Sequence, residues 1–186
     1  VDTGITMEHR QKLQPSHTPE AVRNRLVDDP TCSGAIGVVG FCMGGGFAVL
    51  LAPSGRYQAA GVNYRGLPKD PEGFLRGACP VVASYGANDR SLRGAGPQLA
   101  SALTANGVAN DVKTYPDAGH GFLNDHSDDS VSRPIELLGW VSGTEHHEPS
   151  ARDARRRIVD FLRTHLSDRR HDERGDHQPS EPASGS

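Results

Sequence analysis

Cys42, Asp89 and His120 stand in this order along the chain, and together these residue types make a nucleophile usable at neutral pH. A thiol there is mostly protonated, and a neighbouring imidazole that accepts its proton raises the share of attacking thiolate. A carboxylate behind the imidazole fixes its tautomer and stabilises the imidazolium that forms. The surroundings of each residue sharpen this reading. Cys42 lies in Gly40-Phe41-Cys42-Met43-Gly44-Gly45, between an apolar run at 34–39 and a helix-like stretch at 44–51. This has the form of a nucleophile elbow, with cysteine where serine usually sits. Such a strand-to-helix turn holds its central residue in a strained conformation and lifts the side chain clear of the sheet. Gly40 and Gly44 are expected because a Cβ at either place would strike the neighbouring strand or helix. The turn also puts Cys42 at a helix N-terminus, where N–H groups and the dipole favour thiolate over thiol. The Met43 N–H is then a donor for an oxyanion developing on an attacked carbonyl.

Each of these residues also has a plainer reading. A cysteine in an apolar stretch is often a small buried hydrophobe, and Asp89 alone reads equally well as a turn or cap aspartate. His120 lies between two glycines in Gly119-His120-Gly121-Phe122, an unusual setting for a structural histidine. Tyr85 and Phe122 are candidates to line a substrate pocket or to pack the core. Arg90 is a candidate to meet an anionic substrate or a solvated arginine. Cys32 and Cys79 read as packing residues. His126, His146 and His147 have no spacing diagnostic of a metal site, and no metal is expected.

The elements that must position these groups alternate. Thr18-Pro19-Glu20 starts a helix with a capping hydroxyl and proline in the first turn. Ala21, Val22, Leu26 and Val27 form its apolar face, and Asp29-Pro30 stops it. The run at 34–39 predicts a strand buried on both faces. Residues 44–51 predict a buried helix ended by Pro53. Strands are expected at 59–64, 80–85 and 111–115, and a helix at 97–106 stopped by Gly107. A last helix is expected at 151–166, opened by a capping box of Ser150 and Asp153, with Ala154, Ile158, Phe161, Leu162 and His165 on one face. Strands alternating with helices imply βαβ units and a mostly parallel α/β sheet. Cys42, Asp89 and His120 each follow the C-terminal end of a predicted strand, the edge where open α/β sheets build their sites.

Composition narrows the function classes. The chain has 186 residues and a formal net charge of −3. Arg155–Arg157, its tight basic cluster, reads as a solvated helix face, so no nucleic-acid partner is expected. No stretch has the length and apolarity of a membrane span or a signal-peptide core. Three cysteines without metal-like spacing suit free thiols in a reducing, cytoplasmic setting. The domain plan is a poorly ordered lead-in at 1–17, one α/β domain at 18–166 and a disordered polar tail at 167–186. The segment 123–149, which holds Trp140, reads as a lid or substrate wall or as a plain surface excursion.

The motifs Gly-Phe-Cys-Met-Gly-Gly, Tyr85-Gly86-Ala87-Asn88-Asp89 and Gly119-His120-Gly121-Phe122 together resemble the dienelactone hydrolase (carboxymethylenebutenolidase) family of α/β-hydrolases. Asp89 follows Cys42 by 47 residues and His120 follows Asp89 by 31, intervals that suit the family. The resemblance covers roughly residues 20–166. It implies Cys42 as nucleophile, Asp89 as acid and His120 as base. It further implies hydrolysis of a small-molecule lactone or activated ester through an acyl-thioester, with no metal or organic cofactor. It also implies a larger sheet in which strands precede the nucleophile strand. That part would carry the second oxyanion donor, a glutamate that modulates the cysteine and an arginine for a substrate carboxylate. No residue here matches those three roles, and the strand at 34–39 is expected to form a sheet edge. Two other functions stay open at this point. One is a truncated or inactive fragment that binds a partner. The other is a serine-type peptidase or thioesterase scaffold reusing the same residue order, against which the cysteine argues. Oligomeric state is open.

Overall fold

The computed structural model describes residues 18–124 and 147–167. The expected lead-in at 1–17, most of the 123–149 segment (with His126, Trp140 and His146) and the tail after Ser167 lie outside the described residues.

In chain order the elements are α1 (Pro19–Val27), β1 (Gly37–Phe41), α2 (Met43–Leu51), β2 (Ala59–Asn63), α3 (Pro71–Phe74), β3 (Val81–Gly86), α4 (Ala95–Ala105), β4 (Asn110–Tyr115) and α5 (Glu148–Ser167). The four strands form one parallel sheet in the order β1-β2-β3-β4. Every strand pair needs a crossover, and helices supply it. β2 and β3 are buried along their whole length, which explains their continuous apolar sequences. Alternate residues divide between two cores. Val62, Val81, Ala83, Leu99 and Leu103 pack with Ala48 and Val49 of α2 on one face. Val82, Tyr64, Tyr115 and Phe122 pack with Ala151, Ala154 and Ile158 of α5 on the other.

The structure departs from the sequence reading at several places. Gly34 has a φ of 78°, a left-handed conformation outside strand geometry, so β1 starts at Gly37 and runs through Phe41 into the motif. β1 is not buried on both faces: only Gly40 is buried, because β1 is the outermost strand. The expected apolar face of α1 is not buried either, with Val22, Leu26 and Val27 all exposed. The cap on α1 is as expected, since the Thr18 hydroxyl accepts from the Ala21 N–H at 3.2 Å. α5 begins about one turn before the predicted start. Ser150 is therefore inside the helix, its Oγ 2.8 Å from His147 Nδ1, while Asp153 receives Lys113 and Tyr115. The expected capping box does not form. α3 went unpredicted; the Asp70 carboxylate caps it by accepting from the Gly73 N–H at 2.9 Å.

Candidate active site

The turn after β1 carries Cys42 with φ 51° and ψ −115°, a sparsely populated conformation of the kind that costs on the order of 1–3 kcal/mol. Its surroundings hold it there. A Cβ at Gly40 would lie 2.0 Å from the Gly44 carbonyl oxygen, so strand and helix can approach this closely only with glycine at 40. Gly44 is different from expectation, with open space where its Cβ would stand. The constraint falls on Gly45, whose Cβ would come 2.8 Å from the Asn63 carbonyl oxygen, because it is Gly45 that faces β2 as α2 leaves the sheet.

Asn63 closes this turn from the neighbouring strand. Its carbonyl accepts from the Cys42 N–H at 3.2 Å, and its Nδ2 donates to the Gly40 carbonyl at 3.1 Å. The side chain is fully buried, and its Oδ1 has no protein partner among the described residues. The only sequence signal for Asn63 is an amide in an otherwise apolar strand, and it went unread. Met43 begins α2 and its side chain is 66% exposed. Its N–H belongs to the first helical turn, where a helix has no carbonyl of its own to receive it.

Asp89 and His120 approach from the other half of the sheet. Gly86, the last residue of β3, lies so close to the next loop that a Cβ there would stand 2.4 Å from the Ala118 oxygen. The Ala87 N–H donates to Tyr115 and the Asn88 N–H to Ala118, at 2.8 and 3.0 Å. These bonds clamp the loop bearing Asp89 to the loop bearing His120. Asp89 is 2% exposed. Its Oδ1 accepts from the Ser91 N–H and hydroxyl at 3.0 and 2.6 Å, leaving Oδ2 to face His120 Nδ1 at 2.6 Å. The other ring nitrogen, Nε2, lies 3.3 Å from Cys42 Sγ. Three residues from three strand ends thus form one continuous run of polar contacts, with the exposed sulfur at its open end. Such a run can move a proton from sulfur to imidazole while the carboxylate steadies the ring.

Tyr85 and Phe122, candidates for lining a pocket, are core residues. Tyr85 is 1% exposed with its hydroxyl donating to the Arg65 carbonyl, and Phe122 is fully buried beneath Tyr64 and Tyr115. The β3 pleat points Tyr85 inward among the α4 side chains. Arg90 is exposed at the start of the short turn after Asp89. Cys79 packs against the core, and burial pushes its thiol up to about 11; Cys32 is half-buried. Among the described residues no group of three or more His, Cys, Asp or Glu side chains is arranged to hold a metal ion. No described helix is long and apolar enough to cross a membrane.

Sequence comparison finds a match to the dienelactone hydrolase family over residues 4–166. The chain is 27% identical to a provisionally named carboxymethylenebutenolidase of Saccharolobus solfataricus over 155 residues, covering 83% of this chain and 54% of that protein. It is 29% identical over 141 residues to a protein of the same provisional name from Yersinia pestis, covering 70% of this chain and 47% of that one. The chain thus spans about half the length of these curated relatives. In fold it is similar to the crystal structure of a provisionally named dienelactone hydrolase of Klebsiella pneumoniae. The TM-score is 0.60 at 22% identity, covering 77% of this chain and 57% of that one. With a family match that takes in nearly all of the described residues, and a parallel sheet of the same fold, this chain belongs to the dienelactone hydrolase family.

Proposed function

We propose that this site hydrolyses a small-molecule lactone or activated ester through a Cys42 thiolate and an acyl-thioester intermediate. One observation carries the reading: the unbroken run from Cys42 Sγ to His120 at 3.3 Å and from His120 to Asp89 at 2.6 Å. In the first half-reaction His120 Nε2 takes the proton from Sγ, and the sulfur electron pair attacks the carbonyl carbon. The carbonyl oxygen becomes an oxyanion that the Met43 N–H stabilises. Collapse breaks the carbon–oxygen ester bond, and His120 returns its proton to the departing oxygen. In the second half-reaction His120 deprotonates a water whose oxygen attacks the thioester carbonyl; the carbon–sulfur bond breaks to release the acid, and the departing sulfur takes the proton back from His120. Asp89 holds the imidazole with its proton on Nδ1 throughout. The scheme uses neither a metal nor an organic cofactor, and the proposed partner is the small substrate rather than a nucleic acid or a membrane.

The test is hydrolysis of p-nitrophenyl acetate by the wild type and by Cys42→Ala. The variant is expected to lose on the order of 10²-fold or more of the rate; equal rates in the two proteins would sink the nucleophile assignment. A second reading, a polypeptide that acts by binding a partner rather than by turnover, is favoured by the outer side of β1. Val39 and Phe41 are 37% and 42% exposed there, and among the described residues no strand pairs with that side. Size-exclusion and hydrogen-exchange measurements separate the two. A monomer with strongly protected amides at residues 37–41 counts against the binding role.

A further inference from the structure

Among the described residues, positive φ outside glycine occurs at two positions, Cys42 at 51° and Tyr64 at 38°. They end adjacent strands, and both meet His120. Cys42 faces Nε2, while the Tyr64 ring stands edge-on to the imidazole, with centroids 5.3 Å apart and planes at 62°. Backbone strain of this kind persists only where the surroundings over-determine it. For Tyr64 the surroundings are explicit. Its N–H donates to the Ser84 carbonyl at 2.8 Å, and its ring is bracketed by Phe41 at 6.2 Å and Phe122 at 6.0 Å. Its hydroxyl donates to Asn124 Oδ1 at 3.2 Å. The residue is 1% exposed, so neither ring nor hydroxyl is free to act on a substrate. Burial first, and then the negative charge of a Cys42 thiolate, raise its phenol far above the usual range, so it remains a neutral donor to Asn124.

From this we infer that Tyr64 is a positioning residue for the proposed general base. Its buried ring, fixed at a strained turn and tethered through Asn124, holds the His120 imidazole so that Nε2 faces Cys42 Sγ while Nδ1 keeps Asp89. The inference rests on the hydrolase reading for its kinetic consequence but not for its structural one. Asp89 restrains the imidazole through one nitrogen, which still allows the ring to swing about that contact. An edge-on aromatic ring removes this remaining freedom, as aromatic pairs of this geometry do. The sulfur, on the exposed strand, supplies no such wall.

The experiment compares Tyr64→Phe, Tyr64→Leu and Tyr64→Met with wild type by two readouts. The first is the ring-nitrogen NMR shifts of His120, which report its tautomer and are independent of turnover. The second is kcat and KM for p-nitrophenyl acetate. Tyr64→Phe keeps the ring and is expected to retain the wild-type shifts, with kcat within about threefold. Tyr64→Leu is expected to move both shifts toward a tautomer average and to lower kcat by on the order of 10- to 100-fold with KM little changed, as for a misplaced catalytic group. If Tyr64→Leu lacks a cooperative melt, Tyr64→Met fills a similar volume with a flexible chain and answers the same question. Wild-type shifts in a folded Leu or Met variant overturn the proposal, whether or not the protein turns over an ester. Should wild type prove inactive, altered shifts in those variants still support the positioning role, while the hydrolase reading fails separately.

Discussion

The sheet has two edges, and they are built differently. At β4 the edge carries charge that is tied down. Arg157 of α5 reaches across to Asp111 with 2.9 and 2.6 Å contacts and to the Tyr115 hydroxyl at 3.1 Å, while Lys113 pairs with Asp153 at 2.6 Å. Charged side chains of this sort blunt a strand edge against further pairing. At β1 the outer side offers Val39 and Phe41, and beside it α1 leaves Val22 and Leu26 exposed. A groove of about 350 Å³ runs between them, lined by Pro19, Val22, Leu26, Val38 and Tyr57 among others. Among the described residues, the proposed acid and base therefore stand toward the charged β4 side of the sheet, and the proposed nucleophile stands toward the apolar β1 side. The comparison teaches that one site draws its rigidity unequally from its two sides. The Asp89–His120 pair is clamped by main-chain bonds at Gly86–Asn88, whereas the sulfur depends on its turn and on Asn63.

The largest effect should come from the β4 side. Asp89→Asn would keep the shape but leave His120 in the wrong tautomer. The expected loss in ester kcat is on the order of 10³- to 10⁴-fold, measured against an unchanged thermal melt. Retention of activity would show that the clamped pair does not matter. Arg157→Leu should cost roughly 2–3 kcal/mol in unfolding free energy. That is less than breaking a fully buried pair, because Asp111 is 46% exposed. Urea denaturation reads it, and a loss under about 0.5 kcal/mol would remove the contrast between the edges.

Smaller effects sharpen the same comparison. The Lys113 and Tyr115 hydrogen bonds hold the Asp153 carboxyl below the usual carboxylate range. A lowered folded-state value stabilises the fold fully above the unfolded value of about 4, and that stability is lost as pH falls through the folded value. Asp153→Asn should thus cost about 0.2–1 kcal/mol at pH 7, and melts of the two proteins should converge as pH drops below about 4. A gap that stays constant down to pH 2 would contradict the assigned cause. On the β1 side, Leu26→Lys should change stability by under about 0.5 kcal/mol and lower any concentration-dependent association seen for the wild type in sedimentation velocity. Equal sedimentation of the two proteins would mean that this groove takes no part in association.

Much of the arrangement was legible in residue order, for reasons specific to particular residues. Apolar runs bounded by Pro53, Gly107 and Pro80 have few ways to fold, so β2, β3, β4 and α4 lie within a residue or two of expectation. The apolar run at 34–39 reads as buried on both faces, which β1 is not, because such a run looks the same on a central strand and on an edge. Its place at an edge of the described sheet is the one the family resemblance implies. Tyr85 and Phe122 are candidates for the pocket because they neighbour site residues in sequence; the β3 pleat sends Tyr85 inward, and the turn after β4 packs Phe122 against Tyr64 and Tyr115. Gly44 was credited with a close approach that belongs to Gly45, since periodicity does not reveal which side of a new helix faces the adjacent strand.

Sequence alone determined what is local: the bend at Cys42, the Thr18 cap on α1, and three strand-end motifs in hydrolase order, each set by sterics and hydrogen bonding within a few residues. Tertiary structure alone decided what depends on register between distant segments. That includes the 3.3 and 2.6 Å spacings around His120, the grip of Asn63 on the elbow, the Tyr64 ring against the imidazole, and the order of the described strands. Those contacts join residues 21 to 78 positions apart in the chain. Packing across the sheet, rather than any local preference, sets such distances.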